Sequence, residues 1–199
     1  SVWANDSQTL FYTKKDPETL RSYQILKHVL GKPTEDDNLV FQEDDDTFNA
    51  YVYKTKSKDY IIIGSSATLT DEFRILDANT PDGQFKLFAP RERGLEYSIS
   101  HFKDNFYIVT NKDKAENFKL MKTPIGKTAQ ENWVDVLPHR EDVLLEDIDI
   151  FKDYLVVSER KLGLSQIRVM RWDETEDYYL PFDNETYAAG ASTNPDFDT

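Results

Sequence analysis

Short hydrophobic runs recur along this chain of 199 residues at a nearly constant spacing. One apolar segment, rich in aromatic and β-branched residues, occurs around Leu10, Tyr60, Phe106 and Tyr154, at steps of 50, 46 and 48 residues. A second apolar segment follows each of these positions by 12 or 13 residues. Runs of this composition predict β-strands. A period of about 50 residues with several strands in each unit predicts the blades of a β-propeller.

Each repeat contains the strand pattern of one blade, with polar turns between the strands. The first repeat begins directly at an innermost strand, 1–4, and ends with a strand at 39–42. The strands predicted in the other three repeats are 49–55, 59–65, 72–77 and 86–89, then 97–102, 105–110, 117–122 and 133–137, then 147–151, 154–158, 166–172 and 178–182. The chain is therefore predicted to be all-β, a partial propeller of about four four-stranded antiparallel blades plus the start of a fifth.

The repeats divide the chain at about 1–45, 46–94, 95–144 and 145–186, and an incomplete repeat occupies 187–199. Propellers usually close with roughly four to eight blades, because closure protects the sheet edges. Four blades and a remnant favour a fragment of a larger propeller, and a closed four-bladed ring with a loose tail is the alternative. An open arc would leave apolar inter-blade faces uncovered, so we expect self-association.

Charge and composition restrict the possible partners. The net charge of −13 argues against nucleic acid, which needs clustered Lys and Arg. No apolar run approaches the roughly 20 residues that span a bilayer, so no membrane partner is expected. The sequence contains no cysteine, which excludes disulfides and thiol catalysis and permits a reducing compartment. The acidic runs, among them Glu43-Asp44-Asp45-Asp46, are expected to be mostly solvated loop charges.

Recognisable catalytic apparatus is nearly absent from the sequence. No Gly-x-Ser-x-Gly elbow, phosphate-binding glycine loop or His-Glu-x-x-His motif occurs. The three histidines fall in three different repeats, so we expect no metal site and no cofactor. Asp147 and Asp149 would share one face of an innermost strand, with Glu146 on the other face. This pair leaves open a carboxylate-dependent hydrolase.

Seven segments of the chain resemble successive stretches of a known family. They are SVWAND at 1–6, EDDDTF at 43–48, APRE at 89–92, EYS at 96–98, LPHREDVLLE at 137–146, LVVSER at 155–160 and GLSQIR at 163–168. In these segments the chain resembles oligopeptidase B, also called protease II, a serine peptidase of the prolyl oligopeptidase family. The resemblance covers essentially the whole chain, in order.

The resemblance implies a cytoplasmic enzyme with a seven-bladed propeller over an α/β-hydrolase peptidase domain, cleaving short peptides after Arg or Lys. This chain would be the middle of the propeller, and the catalytic triad would lie beyond Thr199. Its expected partners are that C-terminal peptidase domain and short basic peptides. The chain alone would be inactive and would act as a gate that limits substrate size and caps the active site.

The resemblance also implies that one set of loops faces the peptidase domain. These loops join the fourth strand of a blade to the next first strand, and the second strand to the third. Substrate would lie nearest Phe48, Asn49 and the 65–68 loop with Ser65, Ser66 and Thr68. Carboxylates across the domain interface would pair with Arg91, Arg93, Arg140 and Arg160. An independent propeller that binds peptides or proteins remains the alternative function.

Overall fold

The computed structural model describes residues 1–192 and 194–198 and contains four separate four-stranded antiparallel sheets. This confirms the all-β prediction and the blades. In each sheet the strands follow one another in chain order. The first sheet has β1 Val2–Trp3, β2 Thr9–Lys15, β3 Ser22–Val29 and β4 Asn38–Gln42, and the second has β5 Asn49–Lys54, β6 Tyr60–Ala67, β7 Thr70–Asp77 and β8 Lys86–Leu87. The third has β9 Tyr97–Phe102, β10 Asn105–Thr110, β11 Lys119–Pro124 and β12 Val134–Leu137, and the fourth has β13 Leu144–Ile150, β14 Tyr154–Lys161, β15 Leu164–Arg171 and β16 Asp177–Tyr179.

Helix contributes little to the structure. The described residues contain 3-10 turns at Thr34–Asp36, Lys112–Lys114 and Gln130–Asn132. None of the described helical segments is long and apolar enough to cross a lipid bilayer.

Strand boundaries differ from the sequence prediction where turns or bulges intervene. β11 begins at Lys119, two residues later than predicted, because Phe118 has a φ of +58°, which interrupts extended backbone. β13 begins at Leu144, three residues earlier than predicted, and its pairing with β14 shifts register between Leu145 and Asp147. This bulge corrects the placement of Glu146: it and Asp147 are both exposed, instead of alternating between faces.

The chain forms two compact units, the first of which comprises residues 1–96 and 128–131. Its apolar core is formed by the first two blades, with Phe11, Ile25, Ile61 and Ile63 at most 1% exposed. Phe85 packs edge-on against Phe11 with ring centroids 5.4 Å apart. The second strand of the second blade, β6, is buried from Ile61 to Ser65. Both of its faces are therefore covered.

The second unit comprises residues 97–127 and 132–199. Its core joins the third and fourth blades through Tyr107, Leu120, Leu155 and Val157, all 7% exposed or less. Trp172 stacks on Phe102 at 4.4 Å, and its indole Nε1 donates to the Phe151 carbonyl oxygen at 2.8 Å. The predicted fifth repeat forms no strand within 187–192 and 194–198.

Truncation of Leu155 should destabilise the second unit. Leu155 is 2% exposed in its core, so Leu155→Ala should lower the free energy of unfolding by about 2–5 kcal/mol. The matched control is Leu162→Ala, because Leu162 is 92% exposed and should change stability by less than about 0.5 kcal/mol. Urea unfolding followed by tryptophan fluorescence measures both. Equal losses would contradict the assigned core.

Candidate functional site at the loop ends of the blades

The predicted site residues of the first unit lie at one end of its blades. We define the loop end of a blade as the end where its first strand begins and its second strand passes into its third. In the second blade Asn49 pairs with Ser66 at this end, and the hairpin closes at the Ala67–Thr70 pair. The prediction that these loops share one end is thereby confirmed within the blade.

An arginine and two glutamates form the centre of this loop end. Arg91 bonds through Nη2 to Glu43 Oε2 at 2.5 Å and to Ser65 Oγ at 3.3 Å. The same nitrogen lies 3.6 Å from Glu72 Oε1. The Arg91 guanidinium carbon is 3.7 Å from the ring centroid of Phe48, a cation–π contact. We call Glu43, Phe48, Ser65, Glu72 and Arg91 the Glu43 cluster.

Glu43 is buried and has several donors. Its side chain is 5% exposed, and its carboxylate accepts hydrogen bonds from the Ser65 hydroxyl and from the Asp45 N–H, the latter at 3.0 Å. Burial acts to raise the pKa of Glu43, but the hydrogen bonds from Arg91, Ser65 and Asp45 outweigh it. The pKa of Glu43 therefore lies below its ordinary value, and the group is ionised at neutral pH.

A second arginine holds the loop that carries Glu43 and Phe48. Arg21 Nη1 donates to the carbonyl oxygens of Asp45 and Phe48, each at 3.0 Å. Its Nη2 donates to the Glu43 carbonyl oxygen at 3.3 Å. The strand-to-strand loop between the first two blades is thus bound at three carbonyls by one planar group, which fixes the loop without an apolar core of its own.

The other predicted residues of the first unit divide into supported and exposed groups. Ser66 Oγ lies 3.1 Å from the Tyr51 hydroxyl. The Tyr51 ring covers Gly64 closely, so a Cβ on residue 64 would lie 2.3 Å from a carbon of that ring. Asn49, Thr68 and Arg93 are exposed. Phe48 is only 6% exposed and Ser65 is fully buried, so neither is accessible at the surface.

The second unit contains a comparable buried carboxylate. Glu159, on β14, is 0% exposed. Its Oε1 accepts a hydrogen bond from Arg140 Nη2, and its Oε2 accepts one from the Tyr179 hydroxyl at 2.8 Å. Arg140 Nη1 also contacts the Tyr179 hydroxyl at 3.2 Å. We call Arg140, Glu159 and Tyr179 the Glu159 cluster. Because Arg140 lies in the loop before the fourth blade, this cluster attaches that loop to the blade.

Arg160, by contrast, forms an exposed ion pair. Its Nε donates to Glu146 Oε1 at 2.7 Å, and the two side chains are 44% and 30% exposed. Exposed pairs of this kind contribute little to stability. The structure therefore places Arg140 and Arg160 in different environments, although the family resemblance implies the same role for both.

The clusters are not arranged for nucleophilic catalysis. The partners of Ser65 in the described residues are Glu43 and Arg91, without an imidazole to accept its proton. His28 Nδ1 contacts Asp37 at 2.7 Å, but the other partner of that carboxylate is the Tyr12 hydroxyl. Protein atoms around the Asp147 carboxyl displace water from it, and this loss of hydration, together with the negative charge of Asp149, raises the pKa of Asp147 above its ordinary value.

Sequence reasoning missed the burial of Glu43 and Glu159. The acidic run 43–46 predicts solvated loop charges, which is correct for the exposed Asp44 and Asp46 and wrong for Glu43. Glu159 stands in an ordinary-looking strand end. The sequence signal for each is an arginine near the loop end of an adjacent repeat, Arg91 for Glu43 and Arg140 for Glu159, and arginines there are common.

Comparison with known proteins places this architecture in a family. The family described as "Prolyl oligopeptidase, N-terminal beta-propeller domain" matches residues 1–198. The chain belongs to this family. Dipeptidyl aminopeptidase BI of Pseudoxanthomonas mexicana is 40% identical over 198 residues, which is 100% of this chain and 27% of the relative. Protease 2 of Moraxella lacunata is 31% identical, over 99% of this chain and 28% of the relative.

Solved structures of this family show the same fold. Oligopeptidase B from Leishmania major superposes with a TM-score of 0.87 at 31% identity, over 94% of this chain and 27% of that one. Oligopeptidase B from Trypanosoma brucei, in a closed form with covalently bound antipain, gives a TM-score of 0.89 at 26% identity, over 100% of this chain and 29% of that one. The chain thus spans less than a third of the length of these relatives.

Substitution of Glu43 should remove an acid-dependent component of stability. A carboxyl whose pKa is lowered in the folded state stabilises the fold at pH values above its unfolded-state pKa, which is about 4.3 for glutamate. That stabilisation is lost as the pH falls through the folded-state pKa. Glu43→Gln should cost about 1–3 kcal/mol at pH 7, and the difference from wild type should shrink below about pH 4. Thermal unfolding by circular dichroism across pH measures this. Asp46→Asn, in the same loop and exposed, is the control, and an equal effect there would contradict the prediction.

Arg140 and Arg160 should differ sharply when each is replaced. Arg140→Met leaves the buried Glu159 without its cation and should cost about 3 kcal/mol or more. Arg160→Met removes only an exposed pair and should cost less than about 1 kcal/mol. Methionine retains much of the apolar stem in both variants. Similar denaturation midpoints for the two variants would show that Glu159 does not need Arg140.

Proposed function

We propose that this chain is a noncatalytic propeller segment of a longer serine oligopeptidase of the oligopeptidase B type. In that protein it gates access to a C-terminal α/β-hydrolase peptidase domain and caps its active site. The substrates are short peptides cleaved after Arg or Lys, and the enzyme is cytoplasmic. The observation that carries the proposal is the family match over residues 1–198, together with the absence of a Gly-x-Ser-x-Gly elbow from the sequence.

The construction of the loop end supports a gating role. A gate excludes folded proteins only if its loops hold their positions, because a loop that yields admits larger substrates. In the first unit Arg21 binds three carbonyls of the 43–48 loop, and Arg91 binds the Glu43 side chain. Such contacts pre-organise a loop without enlarging the core.

Within the proposal, the predicted site residues have two roles. Phe48, Ser65 and Arg91 support the loop end from beneath, because Phe48 and Ser65 are buried and Arg91 is bonded to Glu43. Asn49, Thr68 and Arg93 are exposed and form the surface that meets substrate or the peptidase domain. Arg140 has the supporting role in the fourth blade and Arg160 the exposed one.

One relative favours a second candidate activity. The relative at 40% identity is named a dipeptidyl aminopeptidase, a name that refers to cleavage at a free amino terminus. The names protease 2 and oligopeptidase B contain no such reference. The longer protein would then release dipeptides from the amino end of its substrate. Two chromogenic arginine amides distinguish the activities when their cleavage by the longer protein is compared. An endopeptidase should cleave the amide of benzoyl-arginine, whose amino group is blocked. A dipeptidyl aminopeptidase should instead cleave the amide of a dipeptide with a free amino group.

The gate predicts a division of activity between segments. The chain alone should hydrolyse neither a short arginine peptide nor a folded protein. The longer protein should cleave the short peptide and leave the same sequence intact inside a folded protein. Mass spectrometry of the products measures all four reactions.

Hydrolysis by the chain alone would contradict the proposal. If Asp147→Ala with Asp149→Ala then abolished that hydrolysis, the carboxylates of Asp147 and Asp149 would be the catalysts. Cleavage of the folded protein by the longer enzyme at the rate of the short peptide would instead overturn the gating role and leave the family assignment intact.

A further inference from the structure

A cleft of about 510 Å³ lies at the loop end of the fourth blade, within the second unit. It is bounded by the loop that precedes β13, by the β14–β15 hairpin and by Tyr179 on β16. The volume falls in the range of about 300–1,000 Å³ that is common for small-ligand sites. The proposed gating role assigns no function to this cleft.

The wall of the cleft contains a pre-oriented arginine. Glu159 is completely buried, and its two oxygens are taken by Arg140 and Tyr179, both of which line the cleft. The buried carboxylate thus fixes the guanidinium plane. Arg140 remains 30% exposed, and a guanidinium has five donors in a rigid fork. An anion in the cleft would meet an arginine that needs little further ordering.

The second cation of the cleft has a weak partner. Lys161 Nζ lies 2.8 Å from Asp142 Oδ2, but the two side chains are 41% and 64% exposed. An ion pair this exposed contributes at most about 1 kcal/mol. A ligand carboxylate can therefore compete with Asp142 for Lys161 at low cost.

The remaining wall combines the polar side chain of Gln166 with the apolar side chains of Val143, Leu162 and Leu164. Leu164 lines the cleft beside Leu162, and Leu162 is 92% exposed at the tip of the hairpin. Leu162 and Gly163 have φ values of +51° and +82°, the left-handed pair that a tight two-residue hairpin turn requires. The turn thus holds an apolar side chain at the rim, beside two cations.

We propose that this cleft binds a carboxylate that has an aliphatic side chain next to it. Arg140 and Lys161 bind the carboxylate, and Leu162 and Leu164 contact the aliphatic group. The C-terminal residue of a peptide has this chemistry, and so does an acidic side chain followed by an aliphatic residue in an internal segment.

Peptide titration of the 199-residue chain, followed by NMR chemical shifts, tests the proposal and distinguishes the two sources. The first probe is a short N-acetylated alanine peptide ending in leucine, with a free C-terminus. The second is the same peptide amidated at its C-terminus. The third is amidated and contains aspartate before the leucine. The first probe should bind saturably, with shifts at Lys161 and Leu164, and the second at least about fivefold more weakly. Binding of the third as tight as the first identifies an internal acidic segment as a source, and weak binding restricts the site to C-termini.

Two substitutions should change the affinity in opposite directions. Lys161→Met removes a cation and should weaken binding of the first probe about fivefold. Asp142→Asn removes the competing anion and should tighten binding about twofold to threefold. Lys152→Met is the matched control, because Lys152 is 61% exposed and does not line the cleft. All three positions are exposed, so the variants should fold, which circular dichroism verifies.

Equal binding of the free and amidated peptides, or no saturable binding, would overturn the proposal. So would a loss of affinity in Asp142→Asn, since a purely structural role of the Lys161–Asp142 pair predicts weaker binding in both variants. The titration needs no peptidase activity, so its failure leaves the proposed function untouched.

Discussion

A β-sheet with two apolar faces is stable only where another layer covers each face, and this requirement organises the molecule. In the second and third blades the second strands are buried without interruption, from Ile61 to Ser65 and from Phe106 to Thr110. A half-solvated antiparallel strand would alternate instead. Within each compact unit the two blades therefore depend on each other, because they build one core together.

The loops that connect successive blades need a different means of attachment, because they are polar. In both units it is a buried glutamate bound by an arginine. Glu43 comes from an inter-blade loop and its arginine from the end of the following blade, whereas in the fourth blade Arg140 comes from the loop and Glu159 from the strand. The charges are exchanged, but the physical result is the same. A carboxylate removed from water requires its donors, so the loop is held where the donors are.

This construction fits a segment whose proposed task is to exclude and to position. Rigid loop ends supply a fixed rim, and the chemistry would come from a peptidase domain. Exposed groups such as Asn49 and Arg93 are then available for contact, while buried members of the clusters support them. The Glu159 cluster combines the two tasks. The bond between Arg140 and Glu159 attaches the loop before the fourth blade, and in the proposed cleft it also orients Arg140 toward a ligand carboxylate.

The sequence by itself determined the all-β class, the four repeats and most strand positions, because burial on both faces leaves a local, periodic signal of apolar residues. β9 and β10 match their predicted bounds, since polar turns flank them directly. Tertiary structure alone decided which charges are buried. Glu43 and Asp44 are neighbours of the same chemistry, yet only Glu43 meets Arg91 and Ser65. Likewise Arg140 meets the buried Glu159, whereas Arg160 meets the more exposed Glu146. The pKa and the burial of a charged group depend on partners that lie about 20–50 residues away in the sequence. A local sequence pattern does not identify those partners.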